Sequence, residues 1–492
     1  MKKFKKVFAV LLTLAMVLGM SMTTFAANNK PTASDKQTAS VTNVEAGATV
    51  TAYQIVKANY NDAGFVGYSA VDGVTIANPL EPTSAEVTTI AKNVSSLNLT
   101  SVTMTAIAAN KTTYLAQLSA GYWIVLVDGT VQEVYNPMLV GVYYTIQGSG
   151  SDNTLVEGSV NANDNWSLAT SGAYAKSSEL SLTKRVNDDT REVGQGVEFT
   201  ITTTIPSYSD SYTNPTFTIK DEITNGLAYT DADPVVKVGE SVVDEANYTL
   251  TKNTTDFTVT FNSAYLKGLV AVGTNRAVEI KYTATVTSAA VATPAVNTAT
   301  LTYSNTPSST ATKTATEKVF TFKLDGVLKK VKEDKTTPLA GAEFTLYRNS
   351  ALTDSFGTAT SDTNGNIKFE GIGAKDLTTD IEAAAVKYYL KETKAPNGYT
   401  INDKVYEIEI KDITRDPSTN DVTAYKVYVD NNEIASVTIA GEVTGNGTSI
   451  VNTKLAALPG TGGIGTTIFT IGGCLIMIIA AALFFANRRK AK

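Results

Sequence analysis

The stretch Tyr388-Tyr389-Leu390-Lys391-Glu392-Thr393-Lys394-Ala395-Pro396-Asn397-Gly398-Tyr399 decides the fold of the chain. Successive side chains of a strand point to opposite faces, so Tyr388, Leu390 and Glu392 share one face before a Pro-Asn-Gly turn signal ends the run. The same alternation recurs in Val197-Glu198-Phe199-Thr200-Ile201, Tyr406-Glu407-Ile408-Glu409-Ile410 and Tyr425-Lys426-Val427-Tyr428-Val429. Helical periodicity is scarce, and short strands punctuated by Gly, Asn, Asp and Pro predict an all-β chain of tandem sandwiches. One excursion, Ser84 to Asn93, reads as a helix with Ser84 as N-cap.

Two polar, low-complexity segments, 161–178 and 304–318, read as interruptions between sandwiches. They divide the chain into domains at 27–176, 177–316 and 317–454, each of ordinary single-domain size. Residues 455–492 form a tail outside the folded part.

Both ends read as addresses rather than structure. Residues 1–26 carry Lys2, Lys3, Lys5 and Lys6, an apolar run from Val7 to about Met20, and a polar stretch ending Thr24-Phe25-Ala26. That is the pattern of a secretory signal peptide cleaved after Ala26, since the apolar run is short of a membrane span. At the other end, Ile464 to Ala486 carries no charge and is long enough to cross a bilayer as a transmembrane helix. Arg488, Arg489, Lys490 and Lys492 follow it and hold that end in the cytoplasm, which puts the bulk of the chain outside. Just before the span, Leu458-Pro459-Gly460-Thr461-Gly462 resembles the LPxTG cell-wall sorting signal of Gram-positive surface proteins. The resemblance implies cleavage by a sortase between Thr461 and Gly462, with Thr461 passed to an amine and the apolar helix acting as a temporary stop.

Composition limits the available chemistry. The 492 residues include no His and one Cys, Cys474, which lies inside the apolar run. His-based triads, zinc and haem sites, disulfides and cysteine-ligated clusters are therefore ruled out, and no cofactor or metal is expected. A net charge of −6 offers no footprint for nucleic acid. An extracellular chain of this size without a disulfide needs another covalent brace.

Strand parity points to one. In Glu179 to Val186, Lys184 falls in the row of Leu180 and Leu182; in Val319 to Lys332, Lys330 falls in the row of Phe320, Phe322, Leu324 and Leu328. A buried ammonium is costly unless it is paired or neutralised. Near the ends of the same two domains, Val296-Asn297-Thr298 and Val451-Asn452-Thr453 place Asn297 and Asn452 inward, and parity turns Asp221 and Glu392 inward as well. Each domain thus offers Lys, Asn and a carboxyl on core-facing positions, although a strand-end lysine can also reach out to solvent. Burial favours a neutral amine and a protonated acid, so the amine can attack the Asn amide and expel ammonia, with Asp221 or Glu392 as proton shuttle. The resulting Lys184–Asn297 and Lys330–Asn452 isopeptides would close loops of about 110–120 residues, worth about 5 kcal/mol each by loop entropy.

These residues resemble a family. Tyr388-x-Leu390-x-Glu392-Thr393-x-Ala395-Pro396-x-Gly398-Tyr399 resembles the E-box of isopeptide-forming backbone pilins of Gram-positive bacteria, and Leu339 to Leu346 is similar to the second strand of collagen-adhesin B-type domains. Val193-Gly194, Ile205-Pro206, Asp221 and Gly226-Leu227-Ala228-Tyr229 resemble the middle domain of such pilins; Tyr53-Gln54-Ile55 and Gly121-Tyr122-Trp123 resemble the N-terminal one. The resemblance implies immunoglobulin-like sandwiches, no enzymatic activity beyond self-cross-linking, and polymerisation through one surface lysine. Trp166 to Lys176 lies where the family carries Trp-x-x-x-Val-x-Val-Tyr-Pro-Lys, with Ala175 in place of Pro and one extra residue of spacing. Lys176 is thereby the expected inter-subunit lysine. Expected partners are a pilus-type and a housekeeping sortase, other copies of the chain, ancillary pilins and peptidoglycan, with a host glycan or matrix protein as a further candidate. The other reading of the same modules is a monomeric wall-anchored adhesin or ancillary pilin.

Overall fold

The computed structural model describes residues 29–108, 110–146, 154–155, 157–269, 274–374, 386–455 and 464–489. The signal peptide and Leu458, Pro459, Gly460, Thr461 and Gly462 lie outside these residues. The chain divides into two compact units: Met1–Asp189 with Gly196–Ala289 and Ala295–Val319, and Thr190–Gln195 with Ala290–Pro294 and everything from Phe320 onward.

The first unit holds two sandwiches. In the N-terminal one, hydrogen-bonded strands follow the order Trp166–Thr170, Met138–Ile146, Gly121–Asp128, Thr49–Asn61, Ser101–Ile107, Asn110–Ser119, Lys36–Thr42 and Ala173–Tyr174. Alternating residues such as Val50, Ala52, Trp123, Val125, Val140 and Val142 make its core. The helix is Ser84–Lys92, and its N-cap is Thr83 rather than the expected Ser84. Glu86 stands three residues after Thr83 and its carboxylate accepts from the Thr83 N–H, closing a capping box that a start at Ser84 would forgo.

In the middle sandwich, one sheet runs Thr183–Val186, Gly196–Thr204, Ala277–Val286, Val235–Val238 and Ser241–Val242, with Leu227–Tyr229 also on Ala277–Val286. The facing sheet runs Tyr248–Lys252, Asp256–Phe261, Phe217–Ile223, Ala295–Ser304 and Thr310–Val319.

The two expected interruptions are strands. Residues 161–178 supply Trp166–Thr170, Ala173–Tyr174 and Ser177–Ser178, and Thr310–Val319 pairs along the whole of Ala295–Ser304. Their Ser/Thr/Ala composition reads as low complexity, yet Thr fits a half-buried pleated surface: Ala311 is buried between exposed Thr310 and Thr312, and Val319 is buried at the strand's end. The Thr310–Val319 strand therefore runs through the expected 316/317 boundary.

The second unit centres on a sheet in the order Ser355–Thr360, Glu343–Tyr347, Lys387–Lys394, Val405–Arg415, Val422–Val429, Asn432–Thr438 and Val443–Gly445. A small sheet places Leu328–Val331 between Asn366–Ile367 and Thr448–Val451, with the last pairing parallel. Phe322, Leu324, Phe344, Leu390, Ile408, Val427 and Ile450 fill the space between. Ile464–Arg489 is a helix long and apolar enough to cross a membrane, with Cys474 on its exposed surface.

Candidate cross-linking site

Both inward trios are assembled by the fold. Lys184, Asp221 and Asn297 are buried at 5%, 0% and 0% exposure, and Lys330, Glu392 and Asn452 at 0%, 1% and 2%. Each lies in the apolar row that strand parity assigns to it: Leu180 with Lys184, Ile219 with Asp221, Ala299 with Asn297, Leu390 with Glu392, and Ile450 with Asn452.

In the second unit, Lys330 lies on Leu328–Val331, level with Ile450 of the parallel strand Thr448–Val451, and Asn452 directly follows that strand. Lys330 Nζ donates to Asn452 Oδ1 and lies 3.3 Å from Glu392 Oε2. Asn452 Nδ2 donates to Glu392 Oε1 at 2.6 Å. One carboxyl, brought from the facing sheet, thus touches both the amine and the amide nitrogen. Burial lowers the Lys330 pKa against the opposing pull of Glu392. Asn402, which the sequence did not single out, donates its backbone N–H to Glu392 Oε2 at 3.1 Å and its amide N–H to Val451 O at 3.2 Å.

In the middle sandwich the trio spans the two sheets. Lys184 sits opposite Ile201 in one sheet, while Asp221 and Asn297 lie diagonally on adjacent strands of the other, where Ile223 is level with Asn297. Lys184 Nζ donates to Asp221 Oδ2 and, at 2.6 Å, to the Tyr282 hydroxyl. Burial again lowers the lysine pKa, with Asp221 working against it. Tyr282 and Tyr229 each donate to Asp221 Oδ1, at 2.6 and 2.9 Å. In the sequence Tyr229 stands out only within the Gly226-Leu227-Ala228-Tyr229 resemblance, and Tyr282 not at all, because a Tyr in an apolar row is the commonest kind of buried aromatic.

Lys176 is exposed and stapled on both sides. Before it, Ala175 is fully buried, donates its N–H to Thr42 O at 2.9 Å and accepts from Asn43 Nδ2 at 3.0 Å. After it, Ser177 and Ser178 pair with Tyr135 and Val134. The Val131–Tyr135 stretch is in turn gripped by the middle sandwich: Asn305 Nδ2 donates to Val131 O at 2.7 Å, and Tyr212 OH to Tyr135 O at 2.7 Å.

Among the residues whose side chains are described, the N-terminal sandwich buries no Lys, Asn, Asp or Glu and so shows no third trio. Besides Glu392, the second unit buries two further acids among the described residues, Glu409 and Glu192, and nothing in the sequence singled out Glu192. It accepts from Arg348 Nε and from the Tyr388 hydroxyl, both at 2.6 Å.

Three tandem sandwiches, two of them with a buried Lys, Asn and carboxyl, followed by an apolar helix with a basic end, define a modular surface protein held at a membrane and a cell wall. Family models match in the same order: a T6 antigen Ig-like domain over residues 34–177, a SpaA prealbumin-like fold domain over 325–426, and an LPXTG cell wall anchor motif over 450–492. The trypsin-resistant surface T6 protein of Streptococcus pyogenes serotype M6 is 27% identical over 98% of this chain and 99% of its own length. The fimbrial subunit type 2 of Actinomyces naeslundii is 26% identical over 65% of this chain and 62% of its own length. Among solved structures, the T6 backbone pilin of serotype M6 Streptococcus pyogenes covers 87% of this chain and all of its own, at 22% identity and a TM-score of 0.60. The full-length major pilin SpaD of Corynebacterium diphtheriae has the same coverage, at 18% identity and a TM-score of 0.50. The chain is a sortase-assembled surface pilin of the Gram-positive type. It is a substrate of sortase rather than an enzyme, it is anchored at the cell wall with its helix as a transient membrane anchor, and sortase and other pilin subunits are its partners.

Proposed function

We propose that the chain is the shaft subunit of a covalent pilus, made of an N-terminal, a middle and a C-terminal sandwich with Lys184–Asn297 and Lys330–Asn452 isopeptides in the last two. The observation that carries this reading is the contact of one buried carboxyl, Glu392, with both Lys330 Nζ and Asn452 Nδ2. A proton passed from the lysine to Glu392 leaves a neutral amine whose lone pair attacks the Asn452 amide carbon. Glu392 gives that proton to the amide nitrogen and takes the second proton shed by the attacking nitrogen, so that ammonia departs as the C–N bond to Lys330 forms and Glu392 is left protonated. Water is excluded, so hydrolysis of the amide does not compete.

Polymerisation joins Thr461, cleaved from Gly462 by a pilus-type sortase, to Lys176 of the next subunit; a housekeeping sortase transfers the finished fibre to peptidoglycan. Similarity to the fold of a backbone pilin over 87% of the chain supports the shaft role, as does the exposure of Lys176. Tension entering at Lys176 would run to Lys184, cross to Asn297, continue to Lys330, cross to Asn452 and leave at Thr461, bypassing most of both cross-linked sandwiches. The N-terminal sandwich lies outside this line, in keeping with the lack of a trio among its described residues. Intact mass of the region from Ala27 to Thr461 tests the chemistry: two ammonia molecules lost, about 34 Da, is expected. An unshifted mass overturns it.

A further inference from the structure

The two trios differ in how the acid reaches the amide. In the second unit Glu392 touches the Asn452 nitrogen directly. In the middle sandwich Asn297 Nδ2 instead donates to the Tyr282 hydroxyl at 2.9 Å, and that is the only hydrogen bond of the Asn297 side chain among the described residues. Its Oδ1 is buried and has no donor. The same phenolic oxygen accepts from Lys184 Nζ at 2.6 Å and donates to Asp221 Oδ1 at 2.6 Å. Tyr282 comes from Ala277–Val286, next to the strand that pairs with the Lys184 strand, and its ring stacks on Phe199 at 5.6 Å. The hydroxyl is therefore fixed at the centre of nucleophile, acid and leaving group.

We infer that Tyr282 is a catalytic residue of the middle-domain cross-link, relaying a proton from the Lys184 amine to the departing Asn297 nitrogen. This rests on the isopeptide reading above. Asp221 first takes one proton from Lys184 across their direct hydrogen bond, leaving a neutral amine. Attack on the Asn297 amide carbon puts a positive charge on Nζ and a negative one on Oδ1. The new N–H proton moves to the phenolic oxygen while the phenol's own proton passes to Nδ2. Collapse of the intermediate then breaks the bond to that nitrogen, and ammonia leaves. Lys184 and Asn297 are joined by an amide, Tyr282 ends as it began, and Asp221 is left holding the first proton it took from Lys184. The relay is concerted because burial pushes the Tyr282 pKa far above its ordinary value, so a free phenolate is never formed. In the second unit Glu392 touches both nitrogens and no phenol is needed.

The test is Tyr282→Phe in the chain from Ala27 to Thr461, with the Lys184–Asn297 link quantified by intact mass and fragment sequencing at intervals after synthesis. The Lys330–Asn452 link of the same molecules serves as the internal reference. Tyr282→Phe is expected to keep the C-terminal loss of about 17 Da and to form the middle link about 100-fold more slowly or not at all, the range for a lost general acid–base group. A middle link formed at the wild-type rate overturns the role of Tyr282 and leaves the isopeptide reading standing. A wild-type chain without that link overturns the reading itself. To separate chemistry from folding, the substitution is repeated in a Lys184→Ala background, where no middle link can form. An unchanged Tm between Lys184→Ala and the double variant makes the missing link a chemical defect and supports the relay. A Tm lowered by more than about 10 °C, several kcal/mol for a domain of this size, makes it a packing defect and overturns the relay.

Discussion

Lys330, on a strand at the start of its sandwich, donates from its amine to the amide oxygen of Asn452, the residue directly after the parallel strand that closes it. A bond between them ties the two ends of the domain together. Glu392→Gln keeps the shape of the acid but cannot accept the lysine's proton, so the Lys330–Asn452 link should not form and the mass should rise by about 17 Da over wild type. Without the closed loop the domain should lose about 5 kcal/mol, or more than 10 °C of Tm. Calorimetry and intact mass on one sample check both.

The depressed lysine pKa predicts how an unreacted domain responds to pH. In Asn452→Ala, Lys330 keeps its amine, and burial holds its folded pKa below the ordinary lysine value. Between those two values the unfolded chain binds more protons than the folded one, so stability rises with pH through that window. Below the folded pKa the penalty of burying the charge is fully present. In the cross-linked chain the nitrogen is an amide and does not titrate. The Tm of Asn452→Ala relative to wild type should therefore improve as pH is raised from neutrality towards 10.5; a gap that stays constant or widens would contradict the assignment.

The inward residues were legible because a period of two places each polar side chain with the leucines, isoleucines and alanines beside it. Lys184, Asp221, Asn297, Lys330, Glu392 and Asn452 could all be found that way. Tyr282 could not, because its row of Ile280 and Ala284 accepts an aromatic without comment and the hydroxyl's partners come from three other strands. Glu192 was hidden for the same reason: Arg348 and Tyr388 are far from it in sequence. The misread segments 161–178 and 304–318 show the limit of composition, since Thr-rich alternation is a strand wherever a neighbouring strand supplies its hydrogen bonds.

Glu192 supplies a prediction independent of the cross-links. Its carboxylate is buried and pairs with Arg348 Nε and the Tyr388 hydroxyl, so Glu192→Ala leaves the Nε–H and the phenol without that acceptor, while the rest of the guanidinium keeps Asp354 and Ser355 O. Arg348 is partly solvated, which moderates the cost to about 2–3 kcal/mol. Amide exchange should quicken at Val193 and Ala374, whose N–H groups donate to Gly371 O and Thr190 O. The loss of about 34 Da should be unchanged, because neither trio includes Glu192.

The staple around Lys176 makes the polymerising lysine depend on the middle sandwich. Ser177 and Ser178 are paired to Tyr135 and Val134, and that stretch is held by Asn305 Nδ2 on Val131 O and Tyr212 OH on Tyr135 O. Asn305→Ala with Tyr212→Phe removes two of these holds, about 1 kcal/mol for each hydrogen bond, and loosens the segment on its strand partner, although the Tyr303 hydroxyl still donates to Gln132 O. Lys176→Ala should abolish the ladder of polymers in cell-wall extracts, leaving a single band. The Asn305→Ala, Tyr212→Phe variant should keep the ladder but shorten it several-fold, since an extended, preorganised lysine meets the sortase-held Thr461 more often than a mobile one. The cross-link mass is the control, because neither substitution touches a trio. A ladder of wild-type length in this variant would mean that the staple serves stability alone, and a ladder that survives Lys176→Ala would move the acceptor to another lysine.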